Sequence, residues 1–389
     1  MLTLGVICAL LASAFALDTD LPAPTVKRCT GTISSLADVA AAQVCTTIII
    51  NSFTVPGGQI FTINAATGAT ITMAGDVTFG FAEWAGPLML VSGQNVTFNG
   101  NGHTLFGQGD LYWMRDGLGG NGGVTKPAPF IRVNNAGSFS NVRILNAPER
   151  SVAVKGSPVT ISGIMIDNSL GDLPNSRSNG LPAGHNTDGF GISNANNVII
   201  QNSSVHNQDD CLAVNGGTNI TFQNNVCVGG HGISIGSIAS NVVNNVHITE
   251  NTVMSNTNGL RIKTDATATA STVSNIVYTN NKLSGITEFG VLIDQSYPDT
   301  LGLCFFFILF PVPCVQPSWL IGTPGTGVVI NGVTFSGTNT ISVTSVAKRV
   351  SVNCGSTSSC VGTWNFAALT VTGGAAGTIR DAPVTGGLF

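Results

Sequence analysis

In a chain of 389 residues of which only 9% are charged, the stretch VHNQDDCLAV at 205–214 sets Asp209 and Asp210 side by side. Paired carboxylates suit general acid–base chemistry, in which one group gives a proton while another takes one. A third carboxylate, Asp188 in HNTDGFG, precedes Asp209 by the same interval that separates Asp210 from His231 in GGHGISIGS. Arg261 and Lys263, in GLRIKTD, follow His231 at a somewhat longer interval. Each group also has a plain structural reading. An Asp pair can be a solvated turn, a His between glycines a turn residue, and Arg-Ile-Lys a solvated strand face. The i, i+2 spacing does put Arg261 and Lys263 on one side of a strand. What favours chemistry is the recurrence, because a scaffold with coils of this length would stack these residues into one lateral stripe of three Asp, then His, then Arg and Lys.

The elements that could do this are legible as a repeat. NVTFNGNG at 95, NVRILNAP at 141, PVTISGIMIDN at 158, NNVIIQNSSVHN at 196, NITFQNNVCV at 219, NVHITENTV at 245, NIVYTNNKLSG at 275 and GVTFSGTNTI at 332 are versions of one phrase. Each is a short alternating β segment, an Asn or Gly turn, and another short strand. Val198, Ile220, Val246 and Ile276 hold the same place in successive phrases, and the interval between them lengthens along the chain. Strand-and-turn repeats of this period predict an all-β fold, a single right-handed parallel β-helix, in which each coil buries its apolar side only by stacking on its neighbours. Asn suits the left-handed corners such coils require. A β-sandwich is the competing reading, but its hairpins favour two-residue turns that this pattern lacks. Adjacent strand residues point to opposite faces, so Asp209 and Asp210 share a face only if the backbone bends there, at a strand end or bulge.

Composition narrows the class. Net charge is −4 with pI near 5.6, which excludes the basic surplus of a nucleic-acid binder. MLTLGVICALLASAFA at 1–16 reads as a secretory signal, too short for a membrane span, and 17–28, ending in Lys27-Arg28, reads as a pro-segment. The catalytic domain then runs over 29–389, with no internal boundary. Secretion makes disulfides the expected fate of cysteine. Cys29 with Cys45, Cys211 with Cys227, and Cys354 with Cys360 are plausible local pairs, and the second would hold the bend beside Asp210. Sequons at Asn95, Asn202 and Asn219 suggest a glycoprotein.

The motifs Asn186-Thr187-Asp188, Asp209-Asp210, Gly230-His231-Gly232 and Arg261-Ile262-Lys263, with the Tyr297 of DQSYP, resemble in order and spacing those of fungal endopolygalacturonases, glycoside hydrolase family 28. The resemblance implies endo-acting hydrolysis of α-1,4-galacturonosyl linkages in pectin with inversion at the anomeric carbon. It implies Asp209 as general acid, Asp188 and Asp210 as the groups that hold and activate water, and His231 as a tuner of Asp209. Arg261 and Lys263 would bind substrate carboxylates, with Asn186 and Tyr297 lining the site. Inversion would set acid and base roughly 6.5–9.5 Å apart. Clustering of the carboxylates would keep the acid protonated. No metal, cofactor, nucleic acid or membrane is implied, and the expectation is a secreted monomer acting on polygalacturonate.

Two departures stand out. Position 191 is Gly where the family usually continues NTDGF with Asp, which predicts an altered pH optimum or rate. Residues 302–321, GLCFFFILFPVPCVQPSWLI, form an uncharged, Phe- and Pro-rich block that reads as a retained intron, with a real loop closed by Cys304 and Cys314 as the rival. Alternatives to the leading reading are an exo-acting polygalacturonase, a calcium-dependent lyase on the same scaffold, or an impaired pectin-binding β-helix.

Overall fold

Along each strand the apolar residues alternate inward, and successive coils bring like residues into register. Val198, Ile220, Val246, Ile276 and Val333 pair in sequence from coil to coil and are all fully buried. The computed structural model describes residues 27–114, 123–298 and 322–389. Every ladder pairing among them is parallel, so the strands form one continuous wall wound around a single elongated core. This is the parallel β-helix that the repeat predicts.

Each central coil contains three strands rather than the two read from the sequence. Phe190–Ile192, Ala195–Gln201 and Ser204–His206 make one coil; Leu212–Val214, Gly217–Gln223 and Val226–Val228 make the next. The first strand of each is too short for an alternating pattern to reveal it. Corners of the coils are taken by asparagines, Asn141 between two strands and Asn95, Asn197, Asn219, Asn245 and Asn275 at bends inside the longer ones, all with φ of 54–57°. Asn tolerates this left-handed conformation and bonds its neighbours there. The buried amides Asn225, Asn251, Asn281 and Asn339 form a ladder, each Nδ2 donating to the next Oδ1 at 3.2, 3.1 and 3.0 Å.

At the N-terminal end the short helix Val39–Ala42 buries Val39 and Ala42 over the first coil and closes the core. Cys29–Cys45, Cys211–Cys227 and Cys354–Cys360 are bonded as expected. Asn95, Asn202 and Asn219 are exposed, although Asn219 Nδ2 is engaged by Asn197 Oδ1 at 3.0 Å. The signal segment, the pro-segment up to residue 26 and the whole 302–321 block with Cys304 and Cys314 lie outside the described residues. No helix among the described residues is long and apolar enough to cross a membrane.

Candidate active site

Asp209 and Asp210 occupy the corner between Ser204–His206 and Leu212–Val214, the chain bend that two neighbouring carboxylates need to face one way. Asn207 holds this corner. Its Nδ2 donates to the carbonyls of Thr187, Asp209 and Asp210 at 2.9, 3.0 and 3.0 Å. Gln208 pins the other side: its N–H donates to Thr187 Oγ1 at 2.8 Å and its Nε2 to Asp172 Oδ1 at 2.8 Å. The Cys211–Cys227 disulfide ties the end of the corner to the next coil.

The lateral stripe differs from the one the spacing suggests. Phe190 pairs with Leu212 and Leu212 with Ile233, so two residues earlier Asp188, Asp210 and His231 fall in one column. Arg261 pairs with Ser234, not with His231. Arg261 and Lys263 therefore stand on the neighbouring strand face and reach back to the aspartates across Ser234. Counting along the chain missed this because it set Arg261 a later coil's 30 residues after His231, whereas the ladder places it 27 residues after Ser234.

Asp210 is the anchor. It is 2% exposed; its Oδ1 accepts from Ser234 Oγ at 2.7 Å and from Arg261 at 2.6 Å, and its Oδ2 accepts from Lys263 Nζ at 2.8 Å. Ser234 also accepts from Arg261 Nε at 3.0 Å, which fixes the guanidinium. Burial works against the charge of Arg261, but the Asp210 carboxylate outweighs it and raises its pKa. Lys263 Nζ lies 5.0 Å from the centre of the Tyr297 ring, a cation–π contact that brings this tyrosine to the cleft.

Asp209 lies against a different set. His231 Nδ1 is 3.1 Å from its Oδ1, the Asp210 N–H donates to Oδ1 at 2.7 Å, and Asn186 Nδ2 donates to Oδ2 at 3.2 Å. Burial pushes its pKa up, but the hydrogen bond and charge of His231, then Lys263 and the Asp210 N–H, outweigh it and hold the carboxyl well below its ordinary range. Asp188 goes the other way. Burial first, then the charges of Asp209 and Asp210, raise it well above the carboxylate range, with Lys263 and Arg150 only partly opposing. Clustering thus raises one member of the trio, but that member is Asp188 rather than the expected Asp209, because His231 and Lys263 stabilise the Asp209 charge.

Asn186, the three aspartates, Lys263 and Tyr297 line one cleft of about 290 Å³, which also takes in Glu149, Arg150, Ala213 and Asn215; Arg261 and His231 reach it through their bonds to Asp210 and Asp209. A larger groove of about 600 Å³ lies along the asparagine corners around Asn197, Asn219 and Asn245, but carries no carboxylate, so the smaller cleft is the candidate active site. Asp209, Asp210 and His231 each offer a ligand atom within 4.8 Å of one another. A metal ion there would compete with two cations that already satisfy Asp210, so the donor set is charge-balanced without one. Ser234, Asn207 and Arg150 escaped the sequence reading; Ser234 is visible only through strand register. Gly191 sits between Ala153 and Ala213 on the cleft strands, and a Cβ there would meet nothing closer than Val152 O at 3.9 Å.

Similarity to known proteins agrees with this geometry. The chain is 38% identical over 389 residues to a probable endopolygalacturonase A of Neosartorya fischeri, covering 96% of this chain and 95% of the relative. It is 41% identical to an endo-polygalacturonase of Sclerotinia sclerotiorum, covering 86% and 80%. Among solved structures, endopolygalacturonase I from Stereum purpureum, complexed with two galacturonate, matches with 43% identity and a TM-score of 0.81, over 92% of this chain and 99% of that one. A polygalacturonase from Erwinia carotovora, at 17% identity and a TM-score of 0.57, shares the fold. The profile of glycosyl hydrolases family 28 matches residues 45–305, and with carboxylates and cations gathered in one cleft of the β-helix and a histidine bonded to one of them, this chain belongs to that family and is a glycoside hydrolase.

Proposed function

We propose that the protein is a secreted, endo-acting polygalacturonase that hydrolyses α-1,4-galacturonosyl linkages of pectin with inversion. The observation that carries this reading is that Arg261 and Lys263 are both bonded to Asp210, with Lys263 lining the cleft of the aspartate trio. A neutral glycan has no need of two cations next to the acid–base groups; a polyuronate needs them to bind its carboxylates. The names of the relatives, endopolygalacturonases over nearly their whole length, support the same substrate and the endo mode.

In this reading a water attacks the anomeric carbon. A carboxylate takes its proton, the glycosidic C–O electron pair passes to the leaving oxygen, and a carboxylic acid protonates that oxygen. Asp209 serves as the acid. His231, whose Nδ1 lies 3.1 Å from its Oδ1, tunes that group. Asp188, with Asp210 fixed by its cations, orients and activates the water, and Tyr297 lines the leaving-group side. The raised Asp188 favours a second reading, in which Asp188 carries the proton and Asp209 activates water. A galacturonide with an activated aryl leaving group separates the two, because loss of the acid is largely bypassed there. If Asp209→Asn spares that substrate, the first reading holds; if Asp188→Asn spares it, the second does.

The overall function is tested by reducing-end release from polygalacturonate at mildly acidic pH, with viscosity followed in parallel and the product anomer read by NMR. Viscosity falling far ahead of reducing ends, with the inverted anomer formed first, is expected. Unsaturated products that vanish with a chelator would identify a lyase instead. The 302–321 block is not required in this reading: Gly322 N–H donates to Ser296 Oγ at 2.9 Å and Gly325 N–H to Gln295 O at 2.9 Å, so the two flanks already meet. Sequencing the transcript across the block checks its origin as a retained intron.

A further inference from the structure

Arg150 belongs to none of the sequence motifs, yet it lines the same cleft as Asp188. Its position follows from register. Val152 pairs with Phe190 and Phe190 with Leu212, so Arg150, Asp188 and Asp210 lie on three successive coils of one column. The backbone agrees, since Ser151 N–H donates to Asp188 O at 2.8 Å. Arg261 pairs with Ser234, and Ser234 with Ala213 on the Asp210 coil. Arg261 is thus two coils beyond Asp210 in one direction and Arg150 two coils beyond it in the other, each roughly 10 Å along the axis.

The cations differ in what they are free to do. Arg261 and Lys263 are 12% and 10% exposed and are both paired with buried Asp210. Arg150 is 57% exposed, and its one partner among the described residues is Glu149, whose Oε1 accepts from Nε at 3.2 Å. That leaves the two Nη groups to offer the planar, paired N–H donors that suit a carboxylate. An exposed pair with Glu149 contributes little to stability, so the fold does not explain a cation at this point of a chain with only 15 Lys and Arg.

Resting on the polygalacturonase reading above, we propose that Arg150 binds the carboxylate of a galacturonate unit on the side of the scissile bond opposite Arg261 and Lys263. The cleft thereby reads charge on both sides of the cut and discriminates against methyl-esterified units.

The test compares wild type, Arg150→Gln and Arg150→Lys on unesterified polygalacturonate and on highly methyl-esterified pectin. Arg150→Gln should lower kcat/KM on polygalacturonate about tenfold, mainly through KM. It should change activity on the esterified substrate little, so that the ratio between the two falls. Arg150→Lys should restore part of the ratio. A change in Asp188 titration alone would move both substrates together, because they share the chemistry, and an unchanged ratio would therefore overturn the role of Arg150. Wild type that leaves polygalacturonate uncut would instead overturn the function proposed above.

Discussion

Two stacks of polar side chains run along this molecule from coil to coil, one of asparagines and one of carboxylates. In the ladder Asn225–Asn251–Asn281–Asn339 every amide is both donor and acceptor, so repeating one residue type satisfies every member. A buried polar row of this kind stabilises because nothing in it is left unpaired. The column Arg150–Asp188–Asp210–His231 cannot work that way. Asp188 and Asp210 on neighbouring coils repel, and Asp210 is held by Arg261, Lys263 and Ser234, while His231 bonds Asp209 beside it. Repetition of one residue type marks structure in this fold, and a break in repetition marks chemistry.

The comparison can be broken from either side. The largest expected effect is on activity. Asp209→Asn should reduce kcat on polygalacturonate by roughly a thousandfold. Because the folded state holds this carboxyl below its ordinary range, its charge stabilises the fold above the unfolded pKa and that contribution is lost as pH falls. The variant should therefore also melt earlier at neutral pH and match wild type in strong acid. Next comes the ladder. Asn251→Ala removes the side-chain acceptor of the buried Asn225 N–H, one of the two acceptors of its amide and the amide donor to the Phe222 carbonyl, and should cost about 3 kcal/mol of stability in denaturant melts while kcat at low temperature stays near wild type.

Asp188→Asn should invert the usual outcome. The Asp188 carboxyl is raised in the fold, so its stability contribution is full below the unfolded pKa and is lost as pH rises through the folded one. Removing the charge should abolish hydrolysis yet raise stability at neutral pH, with the gain disappearing in acid. Thermal melts of both Asn variants across pH would reveal the opposite signs; equal signs would mean that the two carboxylates share one environment. The smallest effect is expected at Gly191. The open space at its Cβ accommodates a carboxylate, so Gly191→Asp should leave activity unchanged or modestly higher and move the pH–rate profile.

How much of this is readable from the chain depends on the kind of information. The inward residues Val198, Ile220, Val246 and Ile276 fall into register by counting alone, since each coil must repeat its apolar face. The three cysteine pairs are readable for a similar reason, being close in sequence. Counting fails for Arg261, which it aligns with His231 and which stands over Ser234, because successive coils differ in length and the interval of one does not carry to the next. It also fails to separate Asp188 from Asp209 in charge, although both are aspartates in the same cleft.

The β-helix, its asparagine corners, the family and the types of residue available for catalysis follow from the order of amino acids, because these depend on local pattern and on residue type. Folding in three dimensions settled which cation meets which carboxylate, that Asp188 and Asp209 are pushed in opposite directions, and that Arg150 shares their cleft. Those outcomes depend on through-space distance and burial, and in a fold whose coils differ in length the hydrogen-bonded ladder, not the count along the chain, sets that distance.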